Sequence, residues 1–152
     1  MNSDLKYTPS SKTIEIMREL RNILPSGMIC FVEKSHEVRT FSQMPRAPKV
    51  KLPVKFDLSF PSFFLDALRL NDSYHDGAII VENIKNGWQV VALSFRLHPP
   101  QSKIISRANK GSAFNSAAAM SEDQNVTEII GWNKDAIWVF KNGEHTEFSI
   151  CG

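Results

Sequence analysis

Cysteine is nearly absent. The chain has two, Cys30 and Cys151, too far apart and too poorly accompanied to make a metal-ligand spacing. Cys30 stands in the apolar run 28–32 and reads as a small buried hydrophobe, while Cys151 lies at the end of the chain. A reduced, cytoplasmic setting fits this usage best. Long hydrophobic runs are missing too: no stretch approaches membrane-spanning length, and the first residues lack the apolar core of a signal peptide. The expectation is a soluble protein with no membrane partner. A net charge of only +2 gives no direct signal for nucleic acid. Acid, finally, is absent from two particular stretches. Between Glu82 and Glu122 the charged residues are Lys85, Arg96, Lys103, Arg107 and Lys110, and between Arg39 and Lys55 they are Arg46, Lys49 and Lys51. Local positive potential of this kind suits phosphate groups, although such a run is more often just a solvated face.

What is present is ordinary globular material: 152 residues, 42% apolar and 22% charged, enough for one domain with a real core. Residues 1–9 read as a flexible leader and 10–152 as the domain. Ser10 or Ser11 can cap a helix to about Leu24, with Ile14, Met17, Leu20 and Leu24 at helical spacing. Pro25-Ser26-Gly27 stops it, and Met28 to Val32 is a buried strand. Pro45, Pro48 and Pro53 forbid a central strand or helix interior between Arg39 and Val54, which is expected as a surface loop or edge outside the core. Phe60, Phe63, Phe64, Ala67 and Leu68 then form one wide apolar helix face, so Phe63, Phe64 and Leu68 are expected to be buried against a sheet.

After this helix comes Tyr74-His75-Asp76-Gly77-Ala78-Ile79-Ile80-Val81. A β-branched run with a charged pair at its mouth reads as a buried strand, and Gly77 allows a backbone conformation closed to other residues or a close ligand approach. A carboxylate there is placed to bind a metal or a hydroxyl; taken alone, the stretch reads first as an ordinary turn into a core strand. Lys85-Asn86-Gly87 marks a hairpin, and Trp88 to Phe95 is its returning strand. Ala113 to Met120 is an alanine-rich helix that Ser112 can cap, and strands follow near 127–132, 136–140 and 145–150. The fold class is α+β: one domain with a mixed, twisted sheet flanked by helices.

Several pieces, taken in order, resemble the diadenylate cyclase domain, the nucleotide-binding domain of DNA-integrity-scanning proteins of the DisA type. Gly27-Met28-Ile29-Cys30-Phe31-Val32-Glu33-Lys34 is similar to that family's "GALIVIER", and Phe56-Asp57-Leu58-Ser59 with Phe63-Phe64-Leu65 to its "D-A-x-V-S" and following helix. Tyr74-His75-Asp76-Gly77-Ala78 resembles "LHDGA", and Ala92 to His98 stands where an "LPLS"-like strand end belongs. Gly111-Ser112 and Ser121-Glu122 bracket the place of "GTRHRAALGISE", and Asp135-Ala136-Ile137-Trp138-Val139 resembles the last strand. The resemblance covers about residues 12–150.

That family condenses two ATP molecules to cyclic di-AMP with a divalent metal, Mg²⁺ or Mn²⁺, across two domains that meet face to face. The resemblance therefore implies a nucleotide ligand and a homo-oligomer or another protein partner. It implies Asp76 as base or metal ligand for the attacking ribose hydroxyl, His75 as a second metal ligand, and Gly77 and Ala78 against the nucleotide. The phosphate-gripping Arg-His-Arg of the family is replaced by Ala113-Phe114-Asn115, and the acidic last turn by Phe140-Lys141-Asn142-Gly143. A further stretch, Asp123 to Lys134, also sets the chain apart. Phosphate charge would have to come from Arg107 and Lys110, backbone donors from Gly111 and Ser112, and a stacking face from Phe114, whose alternative is core packing. Losing cationic stabilisers of a transferring phosphoryl group costs orders of magnitude in rate. The expectation is a nucleotide-binding or nucleotide-sensing domain that is catalytically weak or inactive. The alternatives are an active, diverged cyclase or other nucleotidyltransferase, and a protein-interaction module with a vestigial site.

Overall fold

The helical spacing after Ser10 is realised as α1, Ser11–Ile23. Its buried face is Ile16, Met17 and Leu20, all fully shielded, while Ile14 is only half-buried. The apolar stripe is thus rotated from the expected one, because Ile16 and not Ile14 meets the sheet cluster. The computed structural model describes residues 11–38, 41–43, 49–85, 87–97 and 112–149; the leader and Cys151 lie outside these.

Among the described residues the chain forms eight strands in one sheet with three α-helices. β1 (Gly27–Val32) is followed by β2 (Phe41–Gln43), β3 (Val54–Lys55) and α2 (Phe60–Leu70). β4 (Ala78–Ile84) and β5 (Gly87–Leu97) make the hairpin, with Lys85 at φ 44° in its turn. α3 (Ser112–Met120), β6 (Val126–Trp132), β7 (Ala136–Lys141) and β8 (Glu144–Ser149) complete the order. Across the sheet the strands run β2-β5-β4-β1-β6-β7-β8, with β3 also on β5. β1 lies parallel to β4, with Ile29 beside Ile79 and Phe31 beside Val81, and antiparallel to β6. The expected α+β class, with its mixed sheet, is what forms.

Two expectations need correction. The proline-rich stretch does lie at an edge, as β2 and β3 on β5, but Val50, Leu52 and Val54 pack onto the core instead of lying outside it. Proline excludes the interior of a sheet, but its apolar neighbours still gain by burial. On α2 the buried residues are Phe60, Pro61, Phe64 and Ala67, whereas Phe63 and Leu68 are only partly buried. A face that wide cannot all reach the sheet, so its flanks remain at the rim. The strand expected near 127–132 forms as β6, an inner strand between β1 and β7 within Asp123 to Lys134.

The two faces of the sheet have different cores. One cluster joins α1 and α2 to Phe31, Phe56, Ile79, Val81, Ile130 and Trp132. Phe31 meets Phe56 edge-on at 5.4 Å, and Phe60 stacks on Phe64 at 5.9 Å. The other cluster joins Cys30, Ala78, Ile80, Ala92, Ile129 and Phe140 to Ala117, Ala118 and Met120 of α3. Cys30 is fully buried there. Burial, and secondarily the charge of Asp123, push its thiol well above the ordinary range, so it behaves as the small hydrophobe its setting implied.

Candidate functional site

The corner between α2 and β4 is built almost wholly from backbone. Asn71 closes α2 through its N–H to the Ala67 carbonyl (3.0 Å), and its side-chain oxygen accepts from Ser73 N–H at 2.9 Å. Asn71 thereby ends one helix and caps the next, a single 3₁₀ turn over Asp72–His75. Tyr74 is the anchor: its ring is buried in the aromatic cluster, so its neighbours are turned outward. His75, Asp76 and Gly77 are all exposed. Asp76 caps the turn in an extended conformation, its N–H donating to the Ser73 carbonyl at 3.0 Å. Gly77 sits at φ 78°, a left-handed value that swings the chain into β4 and that a side chain would oppose.

His75 and Asp76 form a pair, Nε2 to Oδ1 at 3.1 Å, an ion pair when the imidazole is protonated. The other ring nitrogen, Nδ1, donates to the Asp72 carbonyl at 2.5 Å. Both ring nitrogens thus face acceptors of the chain itself. Among the described residues no three His, Cys, Asp or Glu side chains gather as a metal cage. What the corner offers is one carboxylate with an imidazole beside it. That donor set suits a hard divalent ion taking an oxygen or two from protein and the rest from phosphate and water, and does not suit an all-protein site.

The second half of the expected site is the start of α3, which begins at Ser112. Gly111, Arg107 and Lys110 lie outside the described residues. Ala113 is in the first helical turn. Phe114 is half-buried and takes the edge-to-face role between rings: Phe140 at 4.8 Å, His145 at 5.0 Å and Trp138 at 5.9 Å. Core packing thus accounts for much of this ring. Asn115 is buried, and its Oδ1 has no hydrogen-bond partner among the described residues, an uncommon state for a shielded amide. Ala78, just after the corner, belongs to the same cluster as Phe114 and Ala117, while Tyr74 anchors the corner in the cluster of the other face. The far end of α3 is tied to the last hairpin: Gly143 N–H donates to Ser121 Oγ at 2.8 Å and Asn142 N–H to the Ser121 carbonyl at 3.2 Å.

Two residues around the corner had no sequence signal as site residues. Tyr74 looks like any aromatic, yet it sets which residues face outward. Ser94 sits 1% exposed in β5 at φ 58°, where glycine would be the usual residue; nothing in Val91-Ala92-Leu93-Ser94-Phe95 announces it.

No family model and no curated protein matches the chain. Solved structures do. A hypothetical membrane spanning protein from Bacillus cereus is similar at 15% identity and a TM-score of 0.62, over 91% of this chain. This chain spans 61% of that protein's length. The diadenylate cyclase DacA from Staphylococcus aureus, as a double mutant, is similar at 17% identity and a TM-score of 0.53, covering 93% of this chain and 91% of its own. Identities this low speak to fold alone: the chain has a distant diadenylate cyclase-like fold. Among the described residues no helix is long and apolar enough to cross a membrane.

Proposed function

We propose that this chain is a nucleotide-binding or nucleotide-sensing domain, with its ligand reaching from the corner His75, Asp76, Gly77 and Ala78 to the first turn of α3, and that it makes little or no cyclic di-AMP. The observation that carries the reading is the corner itself. An exposed carboxylate and imidazole, 3.1 Å apart, stand on a hydrogen-bonded turn at the mouth of a buried strand. The strand's first residue packs in the same cluster as α3. Asp76 would hold Mg²⁺ or Mn²⁺ together with the phosphates, with His75 beside it. The metal would supply charge neutralisation and orientation of the phosphates. Gly111, Ser112 and Ala113 would offer backbone donors, and Asn115 a neutral amide where the family has a cation. Arg107 and Lys110 would be the phosphate charge. Partner domains, identical or not, would meet over the same corner.

A thermal-shift series with ATP, GTP and cyclic di-AMP, each with Mg²⁺ or Mn²⁺, tests this, because a ligand of the native state must raise its melting temperature. The expected result is a rise with at least one nucleotide, abolished in Asp76→Ala. No cyclic di-AMP should accumulate from ATP; turnover on the order of one per second would return the chain to the active cyclases. A second reading, the vestigial site of a protein-interaction module, draws on the engagement of both His75 nitrogens within the chain. It takes first place if no nucleotide shifts the melting temperature.

A further inference from the structure

The register of the β4–β5 hairpin slips beside the corner. Ala78 lies opposite Phe95 but Ile80 opposite Ala92, so β5 carries an extra residue over this interval, a β-bulge at Leu93-Ser94. Ser94 takes the left-handed conformation there, φ 58°, and is 1% exposed. Left-handed backbone is unfavourable for any residue with a Cβ, and glycine removes that cost. A serine therefore needs a reason that its backbone does not supply.

The hydroxyl supplies one. Ser94 Oγ donates to the Ser73 carbonyl at 3.3 Å, and the same carbonyl accepts the Asp76 N–H at 3.0 Å. One oxygen thus joins the bulge in β5 to the cap of the 3₁₀ turn. This bond ties the turn to the sheet close to Asp76, beside the burial of Tyr74 one residue after the shared carbonyl. Bulges commonly re-aim a side chain next to a functional site, and strained backbone gathers in such places.

We propose that Ser94 is a positioning residue: its left-handed bulge and its hydroxyl hold the His75–Gly77 corner in register with β4, and thereby fix where the Asp76 carboxylate stands. Its bearing on ligand rests on the nucleotide-binding reading above; its hold on the corner does not. Two variants separate hydroxyl from backbone. Ser94→Gly removes the hydroxyl and relieves the left-handed strain, so the fold is kept. Ser94→Ala removes the hydroxyl and keeps the strain.

Amide hydrogen exchange of the ligand-free protein is the first measurement. In both variants the Asp76 amide should exchange about tenfold faster, the change expected from one lost hydrogen bond, while the amides of Ile29 to Val32 in β1 stay as in wild type. A merely structural role would move both regions together, and would leave Ser94→Gly as protected as wild type. The second measurement is titration with ATP and Mn²⁺, in which both variants should bind about tenfold more weakly than wild type. Unchanged exchange at Asp76 in Ser94→Gly overturns the proposal, as does faster exchange with unchanged ATP affinity. If wild type itself binds no ATP while exchange at Asp76 rises in the variants, the hold on the corner stands and the nucleotide reading fails.

Discussion

On one side of the sheet, α1 and α2 lay Met17, Leu20, Phe60 and Phe64 over Phe31, Ile79 and Ile130; on the other, the nine-residue α3 lays Ala117, Ala118 and Met120 over Cys30, Ile80 and Ile129. The first side is filled by large side chains from two helices, with aromatic rings in edge-on and stacked contact. The second is thinner among the described residues: one short helix lays alanines and Met120 on it, with Phe114 edge-on to Phe140, and it carries the buried amide of Asn115. Apolar area removed from water sets most of the stability, so the side covered by two helices should dominate it. Small residues on the other side bring a helix close to the strands that bear the corner. The thick side thus carries most of the stability and anchors the corner through Tyr74, while the corner's exposed side chains can be disturbed separately.

The largest effect should come from the thick side. Phe64→Ala, at a fully buried ring, should cost about 3–5 kcal/mol of unfolding free energy in urea titration. A loss below that of an ordinary surface change would mean that this side is not the main core. Ala117→Leu probes the thin side. If α3 packs as closely as its alanines imply, the added methylenes should cost about 1–3 kcal/mol. A neutral or stabilising result would show slack under α3 and dissolve the contrast.

The corner should respond in ligand binding and hardly at all in stability. Asp76 is exposed, so Asp76→Asn should alter unfolding by no more than about 0.5 kcal/mol while weakening metal-dependent nucleotide binding. A large loss of stability would make Asp76 part of the scaffold. Binding should also weaken with salt, and Arg107→Ala should weaken it more than Arg18→Ala, whose side chain is exposed on α1. Equal effects of the two changes would remove Arg107 from the site.

The smallest effect lies at the start of α2. Asp57 Oδ1 accepts from Ser59 Oγ at 2.5 Å and from Ser59 N–H at 2.9 Å. These bonds, the hydroxyl's first and the amide's second, hold the Asp57 carboxyl below the usual carboxylate value. A folded pKa below the unfolded one gives stability that is present above the unfolded value and is lost as pH falls through the folded one. Ser59→Ala should therefore destabilise by at most about 1 kcal/mol at neutral pH, since the pair is exposed, and by progressively less in acid. A difference that grows as pH falls would assign the effect to something other than this carboxylate.

Much of the fold was legible because it depends on local periodicity. The spacing of Met17 and Leu20, the run 28–32, the stripe from Phe60 to Ala67 and the turn signals at 85–87 and 141–144 each state an element within a few residues. The site was legible only as a set of names. His75, Asp76 and Gly77 stand out as residue types, and their exposure follows once Tyr74 is seen to be buried, which a periodicity argument does not reveal.

By itself, then, the sequence determined the elements, their order, and the chemistry at the mouth of β4, because propensity, capping and apolar spacing act over a few neighbouring residues. Tertiary structure alone decided that Ile16 displaces Ile14 from the core, that Phe63 and Leu68 stay at the rim, and that Val50 and Leu52 pack inward. It also put β6 inside the sheet and brought Ala78 and α3 to one face. The left-handed serine belongs to this second group. Its conformation is enforced by the pairing of β4 with β5 and by a carbonyl 21 positions earlier in the chain. No local preference of serine encodes such a contact.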